Sequence, residues 1–161
     1  MAIVYSLHFK RSAYQYVSRA KEYESSSQYS LAFEEWKKAL NEGYYLALGK
    51  IASLYVTGYV SLPGYSRGEM CQEGISLHKK LLTYDIREFD YKRSLASIGF
   101  AYEKLGYDQD AYDYFVRAEE EGYYFLYSYY RHLGDEAKAD QYYDKYRQFS
   151  HKEPDNVYFD L

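Results

Sequence analysis

The sequence predicts an all-α fold, an α-solenoid of about four helix-turn-helix hairpins. Three observations carry this. The stretch "AFEEWKKALNEGYY" at 32–45 returns as "AYDYFVRAEEEGYY" at 111–124, 79 residues on. Each copy sets a small, a large and a small residue at i, i+4 and i+7: Ala32, Trp36 and Ala39, then Ala111, Phe115 and Ala118. On a helix that spacing is one face. The small residues admit a neighbouring helix closely, and the aromatic fills the groove between them. Third, a turn-forming residue stands five positions upstream: Ser27 before Ala32, Gly106 before Ala111 and Gly134 before Ala139.

Hairpin 1, about 11–42, takes helices over 11–25 and 28–42, split at the turn "YESSSQY". Its first helix carries Ala20 one turn before Tyr23, a small residue and a ring at a close helix contact. Hairpin 2, about 45–83, repeats this with Ala52 and Tyr55, with helices over 45–57 and 69–83. Gly74, His78 and Leu81 stand where Ala32, Trp36 and Ala39 stood. His78 therefore reads as a part-buried, hydrogen-bonded histidine in an aromatic's place. Between these helices, "TGYVSLPGYSRG" at 57–68 has three glycines and a Pro-Gly pair, so it is a loop. It reads first as a plain surface loop, and second as a segment reaching a partner through Tyr59, Tyr65 and Arg67.

Hairpin 3, about 90–121, takes helices over 90–105 and 108–121, with Gly99 one turn before Tyr102 and Asp108 as N-cap. Hairpin 4, about 123–148, takes helices over 123–133 and 135–148, with Asp135 as N-cap. Here Tyr127 replaces the small residue one turn before Tyr130. The four hairpins form one domain over 1–148, with 1–10 outside the pattern and a tail at 149–161. That tail, "FSHKEPDNVYFDL" from Phe149, reads as a disordered end, a cap on the last hairpin, or a docking peptide through Phe159 and Leu161.

Leu95, Ile98, Gly99, Tyr102, Gly106, Ala111, Phe115 and Ala118 resemble the tetratricopeptide repeat signature. "ALGKIASLYVTG" followed by "GISLHKKLL" is similar to the related Sel-like repeat, which tolerates a longer loop. The resemblance implies a right-handed α-solenoid whose first helices line a concave face. It also implies protein binding as the function, with the groove residues choosing the partner. By position these are Tyr14, Val17 and Lys21; Ser53 and Val56; Phe100, Glu103 and Lys104; and Tyr124, Ser128 and Arg131. Chaperone-binding members clamp a carboxylate with Lys and Asn on this face. Here the two asparagines, Asn41 and Asn156, lie elsewhere, so that clamp is not expected.

Composition agrees with a repeat array. Apolar residues make up 47% of the 161, enough for a core without disulfides or metal. But 25 are tyrosines, and each buried hydroxyl needs a partner or an outlet to the surface. A thin structure with much near-surface core is expected. Tyr23, Tyr55, Tyr102 and Tyr130 fall at motif positions and read as packing. Tyr14, Tyr59, Tyr65 and Tyr124 fall outside them and read as contact residues, since tyrosine gives stiff amphipathic area at low entropy cost.

Residues 1–80 carry 10 Lys+Arg against 7 Asp+Glu, and residues 81–161 carry 10 against 17. A basic field over the whole domain is missing, which argues against nucleic acid, and the acidic second half suits a basic partner. The acids of "RAEEEG" at 117–122 read as a solvated face or a patch for that partner. Cys71 is alone, the N-terminus shows no secretory signal, and no run approaches the ~18 apolar residues of a membrane span. A cytoplasmic protein with no membrane contact is expected.

No catalytic or cofactor motif is present. His8, His78, His132, His151 and Cys71 lack metal-ligand spacing, and Ser61 lacks the glycines of a nucleophile elbow. No cofactor is expected, and no enzyme. The sequence reads as a non-enzymatic protein-binding adaptor. The alternative is an immunity protein that neutralises a toxic effector by tight, electrostatically steered binding. The oligomeric state is not encoded in any of these signals.

Overall fold

A computed structural model describes residues 11–152. The described residues form eight α-helices and a short 3-10 turn, with no strand among them. The chain divides between Ile86 and Arg87 into two compact units.

The N-terminal unit contains α1 (Arg11–Ser25), α2 (Tyr29–Asn41), α3 (Ala47–Thr57) and α4 (Arg67–Leu81). Helix α1 pairs with α2, α2 packs on α3, and α3 pairs with α4. Trp36 fills the centre with Ala20, Ala32, Phe33, Ala39, Ile51, Leu54 and Tyr55 around it. Its indole N–H donates to Glu24 Oε1 at 2.8 Å, and the Lys50 ammonium lies 5.7 Å from the ring centre and 3.5 Å from Glu24 Oε2. The one polar atom of the largest buried side chain is thus satisfied at the rim of the core, where a carboxylate can stay half-hydrated.

The C-terminal unit contains α5 (Glu88–Lys104), α6 (Asp108–Arg117), the 3-10 turn Glu119–Gly122, α7 (Tyr123–His132) and α8 (Glu136–Lys152). Here α5 pairs with α6, α6 packs on α7, and α7 pairs with α8. Phe115 is fully buried, stacked on Phe125 at 4.8 Å, and Phe125 lies 5.8 Å from Phe100.

Within hairpins 2 and 3 the helices approach through a residue that has no room for more. A Cβ on Gly99 would meet the Phe115 ring at 2.7 Å and the Ala111 carbonyl oxygen at 3.1 Å. A Cβ on Gly74 would meet Val56 Cγ2 at 2.5 Å and the Ala52 carbonyl oxygen at 3.0 Å. These are the crossings that the small–large–small spacing predicts.

The motif tyrosines also close the turns. The carbonyls of Tyr23, Tyr102 and Tyr130 accept the N–H groups of Gln28, Tyr107 and Asp135, five residues on, at 2.8, 3.0 and 3.0 Å. Between them, Ser27, Gly106 and Gly134 take left-handed φ values of 57°, 78° and 74°. This is a helix C-cap of the Schellman kind, made three times. In hairpin 2 the left-handed residue is Gly58, one position early, and the loop is long. There the Arg67 guanidinium donates to the Tyr55 carbonyl at 2.7 Å and to the Val56 carbonyl, so a side chain closes what the short turn closes elsewhere. Arg67 serves this cap while remaining exposed at the surface. Its loop is tied further by Val60 N–H to the Leu54 carbonyl and by Leu62 N–H to Met70 Sδ.

Several boundaries differ from the sequence reading, each for a local reason. Helix α4 starts at Arg67 because Ser66 and Glu69 form a capping box: Ser66 Oγ accepts the Glu69 N–H and Glu69 accepts the Ser66 N–H at 2.7 Å. Asp135 caps α8 by accepting the Lys138 N–H at 3.1 Å, as expected. Asp108 does not cap α6; Tyr107 holds that position without a side-chain bond, and Asp108 sits in the first turn, where its charge favours the helix dipole. Helix α8 continues to Lys152, past the 148 boundary read from the repeat. Residues 1–10 and 153–161, with Phe159 and Leu161, lie outside the described residues.

Helix α6 stops at Arg117, and the acids of "RAEEEG" enter the 3-10 turn instead, with Glu119 at a φ of 53°. Two contacts hold it. A Cβ on Gly122 would lie 2.0 Å from the Phe115 carbonyl oxygen, so only glycine fits. The Lys92 ammonium, largely sheathed, meets Glu119 Oε2 at 2.6 Å, Glu88 Oε1 at 2.9 Å and Glu120 Oε1 at 3.0 Å. The Glu119 carboxylate, then Glu88 and Glu120, raises the ammonium's pKa. Burial pushes the Glu120 carboxyl up, but a backbone hydrogen bond and Lys92 outweigh it and hold it below the ordinary carboxylate value. These acids are thus neither a plain solvated run nor a free patch.

Two outcomes are expected. Gly99→Ala gains about 1 kcal/mol of helix propensity but overpacks Phe115, for a net loss of about 1–2 kcal/mol in urea unfolding. An unchanged or raised midpoint contradicts the close crossing. Lys92→Met leaves three carboxylates facing one another and costs about 1–3 kcal/mol at pH 7.5. The Glu120 contribution is present above the ordinary carboxylate pKa and lost as pH falls, so the gap to wild type narrows toward pH 4. Equal urea midpoints at pH 7.5 contradict the role given to Lys92.

Candidate partner-binding surface

Helix α7 buries Leu126 and Tyr130 toward its neighbours. Tyr124, Tyr127, Ser128 and Arg131 recur at helical intervals on another face, a spacing that lines them up. With His132 they line a shallow, open depression of about 450 Å³. Three of these, Tyr124, Ser128 and Arg131, are the residues expected from the sequence.

The depression has stiff walls. The Tyr127 ring packs on Tyr143 of α8 at 5.1 Å, and its hydroxyl accepts a hydrogen bond from Arg131 Nη1 at 3.1 Å. The Tyr124 ring lies 5.3 Å from Tyr146 of α8 and 6.0 Å from Tyr127. Below them a second aromatic tier belongs to the core: Tyr130 stacks on Tyr142 at 5.5 Å, and its hydroxyl pairs with that of Tyr112 at 3.1 Å. The Tyr112 hydrogen bond, then burial, pushes the Tyr130 phenol up, so it stays protonated at all ordinary pH. The two tiers separate tyrosines that hold the unit together from tyrosines turned outward on a fixed frame.

Helix α5 reaches α7 at two points. Phe100 is half-buried against Phe125, and the Lys104 ammonium stands 4.9 Å from the Phe100 ring centre. Glu103 has Lys104 and His132 as electrostatic neighbours, which ties its carboxylate to the α7 side. Glu136 and Asp140 act on Arg131 from α8. The surface therefore mixes rings, hydroxyls and both signs of charge. Of the six residues expected from the third and fourth hairpins, Tyr124, Ser128 and Arg131 line the depression, and Phe100, Glu103 and Lys104 lie on α5 outside its lining.

In the N-terminal unit the expected residues divide. Tyr14 and Lys21 are exposed on α1, and Ser53 is half-buried on α3. Tyr59 and Tyr65 are 47% and 50% exposed on the α3–α4 loop, with Tyr59 stacked on Tyr29 at 3.9 Å. Val17 and Val56 are corrections. Val17, 7% exposed, belongs to the buried stripe Ala13, Val17 and Ala20, whose i, i+4, i+7 spacing faces α2. Val56, 2% exposed, is the side chain against which Gly74 packs. Neither can touch a partner.

Tyr127, His132, Tyr143 and Tyr146 were not read from the sequence as contact residues. One signal was available: a ring at position 127, where the pattern wants a small residue, cannot enter a close crossing and must turn outward. His78 is a further correction. It is 3% exposed, and neither ring nitrogen has a hydrogen-bond partner among the described residues.

Among the described residues no three His, Cys, Asp or Glu are gathered to hold a metal ion, and no helix is long and apolar enough to cross a membrane. No protein-family model matches the chain, and no curated protein matches it significantly.

Proposed function

We propose that this chain is a tetratricopeptide-like helical-repeat adaptor, a right-handed α-solenoid of four hairpins. It binds a partner protein through the faces of its first helices and catalyses no reaction. The observation that carries the reading is the α7 depression, where Tyr124, Tyr127, Ser128 and Arg131 stand on a frame braced by Tyr143 and Tyr146. Pre-fixed tyrosine and arginine side chains are the types that dominate binding hot spots, because they bury much area for little lost entropy. Tyr124 and Tyr127 are half-buried against α8, so they brace the hairpin while part of each ring stays open to a partner. A cytoplasmic setting belongs to the same proposal.

The acid excess of residues 81–161, 17 against 10, favours a basic partner and supports the immunity reading as the second choice. The two differ in affinity. An adaptor exchanges its partner, whereas an inhibitor of a toxic effector holds it very tightly.

The test is capture from native cells by the full chain, with wild type compared with Tyr124→Ala/Arg131→Ala. The specific partner is expected to lose at least about 30-fold in affinity to the double variant, while Ser61→Ala retains it. Equal binding by a folded double variant moves the site off α7. For the immunity reading, deletion of the gene is lethal only beside an intact toxin gene; harmless deletion beside an active toxin removes that reading.

A further inference from the structure

Hairpin 2 differs from hairpins 1 and 3 in two ways at once. It lacks the short tyrosine-closed turn, and it carries a titratable ring at the core position held by Trp36 in hairpin 1 and Phe115 in hairpin 3. That ring is His78. It lies on α4 against α3, close enough that a Cβ on Gly49 would stand 3.6 Å from its Cε1 and 3.8 Å from its Nδ1. Neither nitrogen has a hydrogen-bond partner among the described residues. An unpartnered buried imidazole is tolerable when neutral and costly when charged.

The surrounding charges do not relieve it. Helix α3 brings Lys50 and Tyr55. Helix α4 carries Arg67, Glu69, Cys71, Glu73, Lys79 and Lys80. None of them acts on the imidazole: burial is the sole influence, and it holds the ring down at about 4 against an ordinary 6.5.

We propose that His78 is an acid-sensitive latch on hairpin 2: neutral, it lets α4 stay seated on α3, and on taking a proton from solvent it drives α4 away so that the imidazolium reaches water. The sign follows from linkage. The open form binds the proton at the ordinary value and the closed form only near 4, so opening is favoured as pH falls through 6.5 and the effect saturates near 4. Between pH 7.5 and 5.0 the opening constant rises about 30-fold. The latch is independent of the partner surface on α7 and stands or falls without it. It makes hairpin 2 the part of the fold that loosens first in mild acid, before the carboxylates near Lys92 begin to protonate.

Amide hydrogen exchange of the full chain, corrected for intrinsic rates, tests this over α3 and α4. In wild type the opening constant is expected to rise about 30-fold from pH 7.5 to 5.0. In His78→Phe and in His78→Gln it is expected to change less than threefold, the glutamine keeping polarity without titration. A wild-type constant that ignores pH, or the same 30-fold rise in His78→Gln, overturns the proposal. Should neither variant fold, the wild-type ring itself decides by NMR: an imidazole still neutral at pH 5.5 supports the latch, and one titrating near 6.5 overturns it.

Discussion

The close crossing of paired helices is the constraint on which the rest depends. Gly99 has no room for a Cβ because the Phe115 ring lies in its place, and Gly74 has none because Val56 does. Ala20, Ala32, Ala39, Ala111, Ala118 and Ala139 are all buried with little or no exposure. Where backbones approach this closely, one buried ring fills the groove, as Trp36, His78 and Phe115 do, and there is little space left for a second. A chain with 25 tyrosines must then place most of them elsewhere. Some close turns through their carbonyls, some form the lower tier around Tyr112, Tyr130 and Tyr142, some line α7 and α8 from outside, and others, such as Tyr14, Tyr65 and Tyr91, stand exposed on the remaining helices and loops.

The crossing also orders the loops. A helix held by a tight contact near its end can finish with one left-handed residue, as at Ser27, Gly106 and Gly134. Hairpin 2 departs from that rule, and both Arg67 and the Ser66–Glu69 box are recruited to hold its ends. Charge does comparable work at the α6–α7 junction. Lys92 gathers acids from α5 and from the turn, which fixes a segment whose own backbone is unfavourable at Glu119.

Most of the fold was legible because small–large–small spacing and turn residues are local signals. Ala32, Trp36 and Ala39 say helix, face and neighbour distance together, and all eight helix starts follow to within two residues, with α3, α4 and α5 at that limit. What the sequence concealed depended on residues far apart in the chain. The turn that follows α6 is held by the close approach of Gly122 to Phe115 and by Lys92, which lies 25 positions before Arg117 and on another helix. "SRGE" at 66–69 is a readable capping box that the Gly-rich loop around it obscured. On the surface, position alone put Tyr124, Ser128 and Arg131 on one face, and the structure sets them along one depression. It failed for Val17 and Val56, where the apolar type was the better guide than the register. Tyr143 and Tyr146 lie on a second helix, and nothing in the repeat pattern assigns that helix to a binding face.

The central claim is that the outer tyrosine tier of α7 and α8 exists to hold another protein. Site-specific photocrosslinking in native cells measures this directly, with a photoreactive phenylalanine analogue placed at Tyr127, at Tyr143, or at Tyr107, an exposed ring at the start of α6. The account predicts one shared protein adduct from positions 127 and 143 and none from 107. An adduct from 107 alone, with 127 and 143 silent, would contradict it.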